Sequence, residues 1–196
     1  MTPDDRLAAQ FAFLNEADRL KSVLRATTLC DGSRPENSGE HSWHLALYAL
    51  TLADQAEPGV DIARVIQMLL LHDLVEIDVG DVPIHSANGT AHASSETQAA
   101  EQAAADRIFG LLPPDLAMRF RALWDEFEAA ETPDARFAKS LDRVQPVMAN
   151  LQSGGGTWIT YNVTLDQLDA RVGTKIARGA PHLWTWVRDR VRPFFG

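Results

Sequence analysis

The run Leu69-Leu70-Leu71-His72-Asp73-Leu74-Val75-Glu76 is apolar like a core helix, yet it carries an imidazole and two carboxylates. Burying such groups is costly unless they are paired or bound to a metal, so three of them here point to chemistry inside the core. The rest of the fold is constrained by this run, because other segments must bring partners to it.

Around it the chain reads as helix after helix. Thr2-Pro3-Asp4-Asp5 is a start signal, with Thr2 as cap and Pro3 at the first helical position. Gly32, Pro35 and Gly39 among polar residues mark Thr27 to Gly39 as an irregular connection, and a second helix follows from about Glu40 to Gln55. Asp61 caps a third that runs through Leu71 toward Ile77 and stops near Gly80. Apolar nearly all round, it is expected to be the central, enclosed element. Ser95 and Gln98 form a capping box for a fourth helix ending near Leu112, and Leu116, Phe120, Leu123 and Phe127 are the stripe of a fifth. Thr132-Pro133 opens a sixth, with Phe137, Leu141, Val144, Met148 and Leu151 inward and a kink expected at Pro146. After Gly154-Gly155-Gly156, the β-formers of Thr157 to Val163 predict a short extended segment. Thr164 with Gln167 caps a seventh helix, and Pro181 begins the last, whose Trp184, Val187 and Val191 face the core or a partner.

With no internal repeat and no dividing linker, these 196 residues predict a single all-α domain of about six to eight helices. Cys30 is the only cysteine, which excludes an intramolecular disulfide, suits a reducing cytoplasm and predicts a buried or idle thiol. The acidic start lacks the basic-then-apolar pattern of a signal peptide, and no apolar stretch is long enough to span a bilayer, so a cytoplasmic location is expected. A net charge of −9 argues against nucleic-acid polymers and anionic membranes as partners. A small anionic substrate remains compatible, its charge met locally by a metal and one or two basic side chains.

His41 stands one turn into the second helix, His72-Asp73 near the end of the third, and Asp142 on the sixth beside Leu141. Two imidazoles, carboxylates and water suit an octahedral divalent metal, and helical side chains converge readily on one ion. This order of residues resembles the HD-domain metal-dependent phosphohydrolases. The resemblance extends to Arg34-Pro35-Glu36-Asn37-Ser38-Gly39-Glu40-His41-Ser42, to His72-Asp73-Leu74-Val75-Glu76 with Gly80-Asp81, and to Lys139-Ser140-Leu141-Asp142. These segments are similar to the branch that includes bacterial and eukaryotic 5'-deoxynucleotidases. The similar stretch spans about residues 10–150, leaving 157–196 as a C-terminal helical extension.

The resemblance implies that His41, His72, Asp73 and Asp142 hold a divalent ion, with Mn, Co, Mg, Fe, Ni and Zn all admissible. It implies a metal-activated water as nucleophile, with Glu76, four residues after His72, positioning or deprotonating that water or protonating the leaving alkoxide. Asp81 matches an acidic residue near the substrate sugar. Arg34 and Lys139 are the candidates for binding the phosphoryl oxygens, Lys139 lying one turn before Asp142. One departure concerns the Arg-Trp pair that bacterial nucleotidases carry upstream of the first histidine. The matching register here reads Ala26-Thr27, with Arg25 adjacent after a one-residue shift. His44 is expected to be a core or hydrogen-bonding histidine. His85 and His92 raise the alternative of a dinuclear-iron oxygenase, and a non-catalytic nucleotide-binding protein is a third reading. The branch also implies a homodimer, for which Trp184, Trp186 and Phe194 offer apolar surface.

Overall fold

A reciprocal capping box starts α1 (Pro3–Ala17), where Asp5 N donates to Thr2 Oγ1 and Thr2 N to Asp5 Oδ2. The computed structural model describes residues 1–90 and 94–196. A 3₁₀ turn (Asp18–Ser22) leads into β1 (Leu24–Thr28), which pairs antiparallel with β2 (Pro35–Asn37). The stretch expected to be irregular thus contains part of a small hairpin. A three-residue strand opening on proline is too short to display period-two alternation. The hairpin turns Thr27 and Glu36 inward and leaves Cys30 exposed at its tip, which rules out the buried one of the two states expected for this thiol. It ends at Asn37, which caps α2 (Ser38–Thr51) in a second reciprocal box with Glu40.

Asp61 caps α3 (Ile62–Leu71) by accepting from the N–H groups of Ala63 and Arg64. The α-helix stops earlier than the apolar run suggests. A 3₁₀ turn (His72–Val75), all four residues buried, continues into α4 (Glu76–Val79), and Gly80 at φ +75° ends it. Nor is α3 enclosed, because Leu70 is 46% exposed. α5 (Ser95–Phe109) is capped by Ser94 rather than Ser95: the Ser94 hydroxyl accepts from Thr97 N. α6 (Pro114–Ala129) follows, and then α7 (Pro133–Gln152).

The enclosed helix is α7. It packs on α2, α3 and α6, and Phe137 and Leu141 are buried beside Lys139, Asp142, Arg143, Gln145 and Asn150. Sequence periodicity points to α3 instead because charged positions count as solvent-facing in such patterns. α7 runs unbroken through Pro146, so the expected kink does not interrupt it; the missing N–H removes the intrahelical donor of the Asp142 carbonyl.

Residues Thr157–Thr160 form a helical turn, α8, where an extended segment was expected. Thr157 N donates to Asn150 Oδ1, Asn150 Nδ2 donates to Thr157 Oγ1, and Trp158 is buried, so packing overrides β propensity. α9 (Leu165–Leu168), capped by Thr164 and Gln167, runs through a π turn (Asp169–Gly173) into α10 (Thr174–Gly179). α11 (Pro181–Val191) buries Val187 and Val191, while Trp186 is 43% exposed under the Arg190 guanidinium. Among the described residues seven helices, α1 to α3, α5 to α7 and α11, reach ten residues, as an all-α domain requires.

α10 lies close against α7. Ser140 Oγ donates to the Ile176 carbonyl at 3.0 Å, and a Cβ added to Gly179 would meet Arg136 O at 2.3 Å. Gly179→Ala should therefore lower unfolding free energy by about 1–3 kcal/mol through overpacking. Urea denaturation measures this, and an unchanged midpoint would refute the contact.

Candidate metal centre

Three elements converge on one point. α2 brings the fully buried His41, the 3₁₀ turn after α3 brings His72 and Asp73, and α7 brings Asp142. His41 Nε2 lies 3.4 Å from Asp142 Oδ1 and 3.9 Å from Asp73 Oδ2. His72 Nε2 lies 2.9 Å from Asp73 Oδ1 and 3.6 Å from Asp142 Oδ1. Ligand atoms of His41, His72 and Asp73 fall within 4.8 Å of one another.

The outer ring nitrogens are already committed. His72 Nδ1 donates to the Leu69 carbonyl at 2.8 Å, and His41 Nδ1 faces Glu36 Oε2 at 3.1 Å. Glu36 is oriented in turn by Gln145, whose Nε2 donates to Glu36 Oε1 at 2.9 Å. Both Nε2 atoms are thereby aimed at the two aspartates, and His72 Nε2, although buried, makes no hydrogen bond. A buried nitrogen without a hydrogen bond between two carboxylates is a group that a divalent cation satisfies, so this donor set fits one.

Arg25 is the buried counter-charge. Its Nη1 lies 2.7 Å from Asp73 Oδ2, 3.5 Å from Glu76 Oε1 and 3.9 Å from Asp81 Oδ1. Burial works against the guanidinium's charge, but Asp73, Glu76 and Asp81 hold its pKa above the ordinary value. Burial likewise opposes ionisation of Asp73, yet His72 and Arg25 keep its carboxyl below the usual range. Asp142 is held low against burial by Arg143 and the two imidazoles. Burial lowers His72, and the charge of Asp73 and contact with Asp142 overcome it, raising the imidazole to about 10. Glu76 is pushed up to about 8, first by burial and then by the Asp73 charge, with Arg25 opposing.

Glu76 reaches this cleft from α4, where Ser38 Oγ donates to its Oε2 at 2.5 Å. Asp81 lines the cleft and accepts from Ala26 N at 3.0 Å, tying the turn after α4 to β1. Lys139 lines it too, its ammonium 2.8 Å from Glu128 and 3.8 Å from the Phe127 ring centre. Arg34 is not brought to the cleft. It stands before β2 with its side chain 51% exposed, and Glu40 holds its guanidinium through two hydrogen bonds. His44 is half-buried behind the site, 3.4 Å from Gln145. His85 lines the cleft beside Arg171, and burial, then Arg171 and Arg143, push it down to about 4. His92 lies outside the described residues.

Glu36 and Ser38 stand in the segment that carries the resemblance, yet no signal in the sequence marks either as part of the centre. Arg25 carries one usable signal, its place next to the register where the bacterial pattern has arginine. The cleft, about 960 Å³ including its open mouth, is also lined by Trp158 and Tyr161, which sequence leaves unassigned.

Two measurements follow. Glu36→Gln should weaken binding of a divalent ion about 10–100-fold by calorimetry, since the charge orienting His41 is lost; equal affinity would remove Glu36 from the centre. Glu101, on the cleft wall, has its carboxyl raised from 4.5 to about 7 by burial and then by Glu128. The folded state therefore binds this proton more tightly than the unfolded chain, and stability falls as pH rises from 4.5 through 7. Glu101→Gln should gain melting temperature relative to the parent at pH 8 compared with pH 5, and a constant difference would contradict the assignment.

The HD domain family model matches residues 17–184. Human 5'-deoxynucleotidase HDDC2 is 29% identical over 137 residues, 69% of this chain and 64% of that protein, so the chain spans just under two thirds of the human relative's length. The Erwinia tasmaniensis 5'-deoxynucleotidase is 27% identical over 161 residues, covering 79% of this chain and 81% of the other. A crystal structure described as a predicted metal-dependent phosphohydrolase from Magnetospirillum magnetotacticum MS-1 is 47% identical, with a TM-score of 0.88 over 97% of this chain and 95% of that one. With the match spanning most of its length and the paired histidines and aspartates gathered at one buried point, the chain belongs to the HD-domain family.

Proposed function

We propose that the chain is a metal-dependent phosphomonoesterase acting on a small nucleotide, a (deoxy)nucleoside 5'-monophosphate or a close derivative. The observation that carries this reading is the buried His41, His72, Asp73 and Asp142 cluster opening onto a cleft with Arg25, Glu76 and Lys139 on its wall. The names of the human and Erwinia relatives support the substrate class. A divalent ion at such a cluster supplies Lewis acidity toward phosphoryl oxygens and an activated water near neutral pH.

The chain's own residues supply the rest. The Arg25 guanidinium, already between Asp73 and Glu76, offers N–H donors to the nonbridging oxygens as charge builds on them, and Lys139 adds a second cation. Glu76, raised to about 8, holds its proton at neutral pH and is placed to pass it to the leaving alkoxide, with Ser38 fixing Oε2. Asp81, anchored by Ala26 N, accepts a sugar hydroxyl. Trp158 and Tyr161 shape the end of the cleft that receives the rest of the nucleotide. Arg34, held by Glu40 at the surface, takes no part in this arrangement. No helix among the described residues is long and apolar enough to cross a membrane, in keeping with a cytoplasmic pool of small substrates.

Protein supplied with manganese, cobalt or magnesium should release phosphate from a panel of ribo- and deoxynucleoside 5'-monophosphates. Asp73→Ala should lower kcat/KM by about 10²–10³-fold or more. A wild type inert across the panel and all three metals would sink the reading.

A further inference from the structure

Lys139 faces two cavities. Its inner side lines the metal cleft, and its outer side lines a smaller cavity of about 440 Å³ with Arg136, Lys175, Arg178 and Glu128. Four cations meet one carboxylate there, in a chain whose net charge is −9. That carboxylate is engaged with Lys139 at 2.8 Å, and Glu57 stands 3.8 Å from Arg136 with half its side chain exposed. The other cations face no closer carboxylate in the cavity wall among the described residues.

The arrangement is built by two packed helices. On α7, Arg136, Lys139 and Arg143 recur at steps of three and four, a basic stripe flanking Asp142. Opposite, the π turn and α10 carry Arg171, Lys175 and Arg178 at steps of four and three, Arg171 reaching His85 on the cleft wall. Gly179 lets the two helices approach, since any Cβ would strike Arg136. The ammonium of Lys175 is lowered from its ordinary pKa, first by loss of solvent and then by Arg143 and Lys139, so the two stripes feel one another. Crowding like charges costs free energy that an anion held among them returns, and arginine forks with lysine ammoniums match phosphate. At 1.5 Å per residue, Lys139 and Arg136 stand about 4.5 and 9 Å along the helix from Asp142, within reach of a ligand whose scissile group lies at the metal centre.

We propose that the outer cavity is a second phosphate subsite, and that the substrate is a nucleotide carrying a phosphate besides the one that is cleaved. This rests on the phosphomonoesterase reading of the metal centre. The second phosphate is bound and not cleaved: water adds to one phosphorus, that ester bond breaks, and the alkoxide takes a proton.

The test pairs kinetics with binding. For the manganese-loaded enzyme, KM for 2'-deoxyadenosine 3',5'-bisphosphate should be about tenfold below that for 2'-deoxyadenosine 5'-monophosphate, a difference of about 1.4 kcal/mol. The double variant Lys175→Ala/Arg178→Ala should erase this advantage while turnover of the monophosphate stays within about twofold. Lys175→Glu, a single exchange that reverses the charge, should do the same. In calorimetry on metal-free protein, inorganic phosphate should bind the wild type and bind the double variant at least about tenfold more weakly. Equal KM values, or a double variant that raises both KM values alike, overturn the proposal. Variant-sensitive phosphate binding without a bisphosphate advantage assigns the cavity to free phosphate and overturns the substrate claim. If neither nucleotide turns over, the metal-centre reading fails by itself, and calorimetry alone decides the subsite: phosphate binding that ignores both variants removes it.

Discussion

Charge balance inside the buried cluster governs much of this molecule. Glu36, Asp73, Glu76, Asp81 and Asp142 are gathered around two imidazoles, and the one guanidinium within 4 Å of four of them is Arg25. Such a group of carboxylates repels itself unless cations or hydrogen bonds intervene. The fold supplies both. The hairpin delivers Arg25 and Glu36 on paired strands, the cap of α2 brings Ser38 to Glu76, and α7 adds Gln145 to fix Glu36. A divalent cation completes the balance, which links metal binding to the stability of the core as well as to its chemistry.

Several oddities of the fold have this one cause. α3 yields to a 3₁₀ turn where His72 and Asp73 must both point inward, and all four residues of that turn are buried. α7 passes through the centre although it carries Lys139, Asp142, Arg143 and Gln145, because its polar residues meet the cluster instead of solvent. Trp124 donates to the His72 carbonyl at 3.0 Å and Phe127 packs edge-on against the His72 ring, so aromatic side chains of α6 hold the ligand-bearing turn in place. Rigid packing around a metal centre keeps ligands in register without further cost when the ion binds.

Lys139 links that centre to the basic cavity outside it. Because α7 carries Asp142 of the buried cluster and two of the outer cations, and α10 is locked to it at Gly179 and Ser140, the two sites share one rigid frame. A ligand spanning both would meet preset positions, the condition under which binding energy reaches the reacting group. Both the inner cluster and α10, which forms the outer cavity, lie within the region matched by the HD domain family, residues 17–184.

The sequence alone determined the helical class, because capping boxes at Thr2 and Thr164, the prolines opening α6, α7 and α11, and the helical spacing of apolar residues act locally. His72 and Asp73 stood out as polar residues within an apolar run, while His41 and Asp142 were joined to them by the resemblance to the HD-domain phosphohydrolases. Tertiary structure decided what depends on contacts distant along the chain. Arg25 meets Asp73 across 48 residues and Gln145 meets Glu36 across 109, separations that no periodicity encodes. The Thr157 segment became helical because Asn150 captures it, and Arg34, before the strand that sends Glu36 inward, is held at the surface by Glu40. Local propensity sets which elements form; the burial of a few charges sets which side chains those elements must bring together.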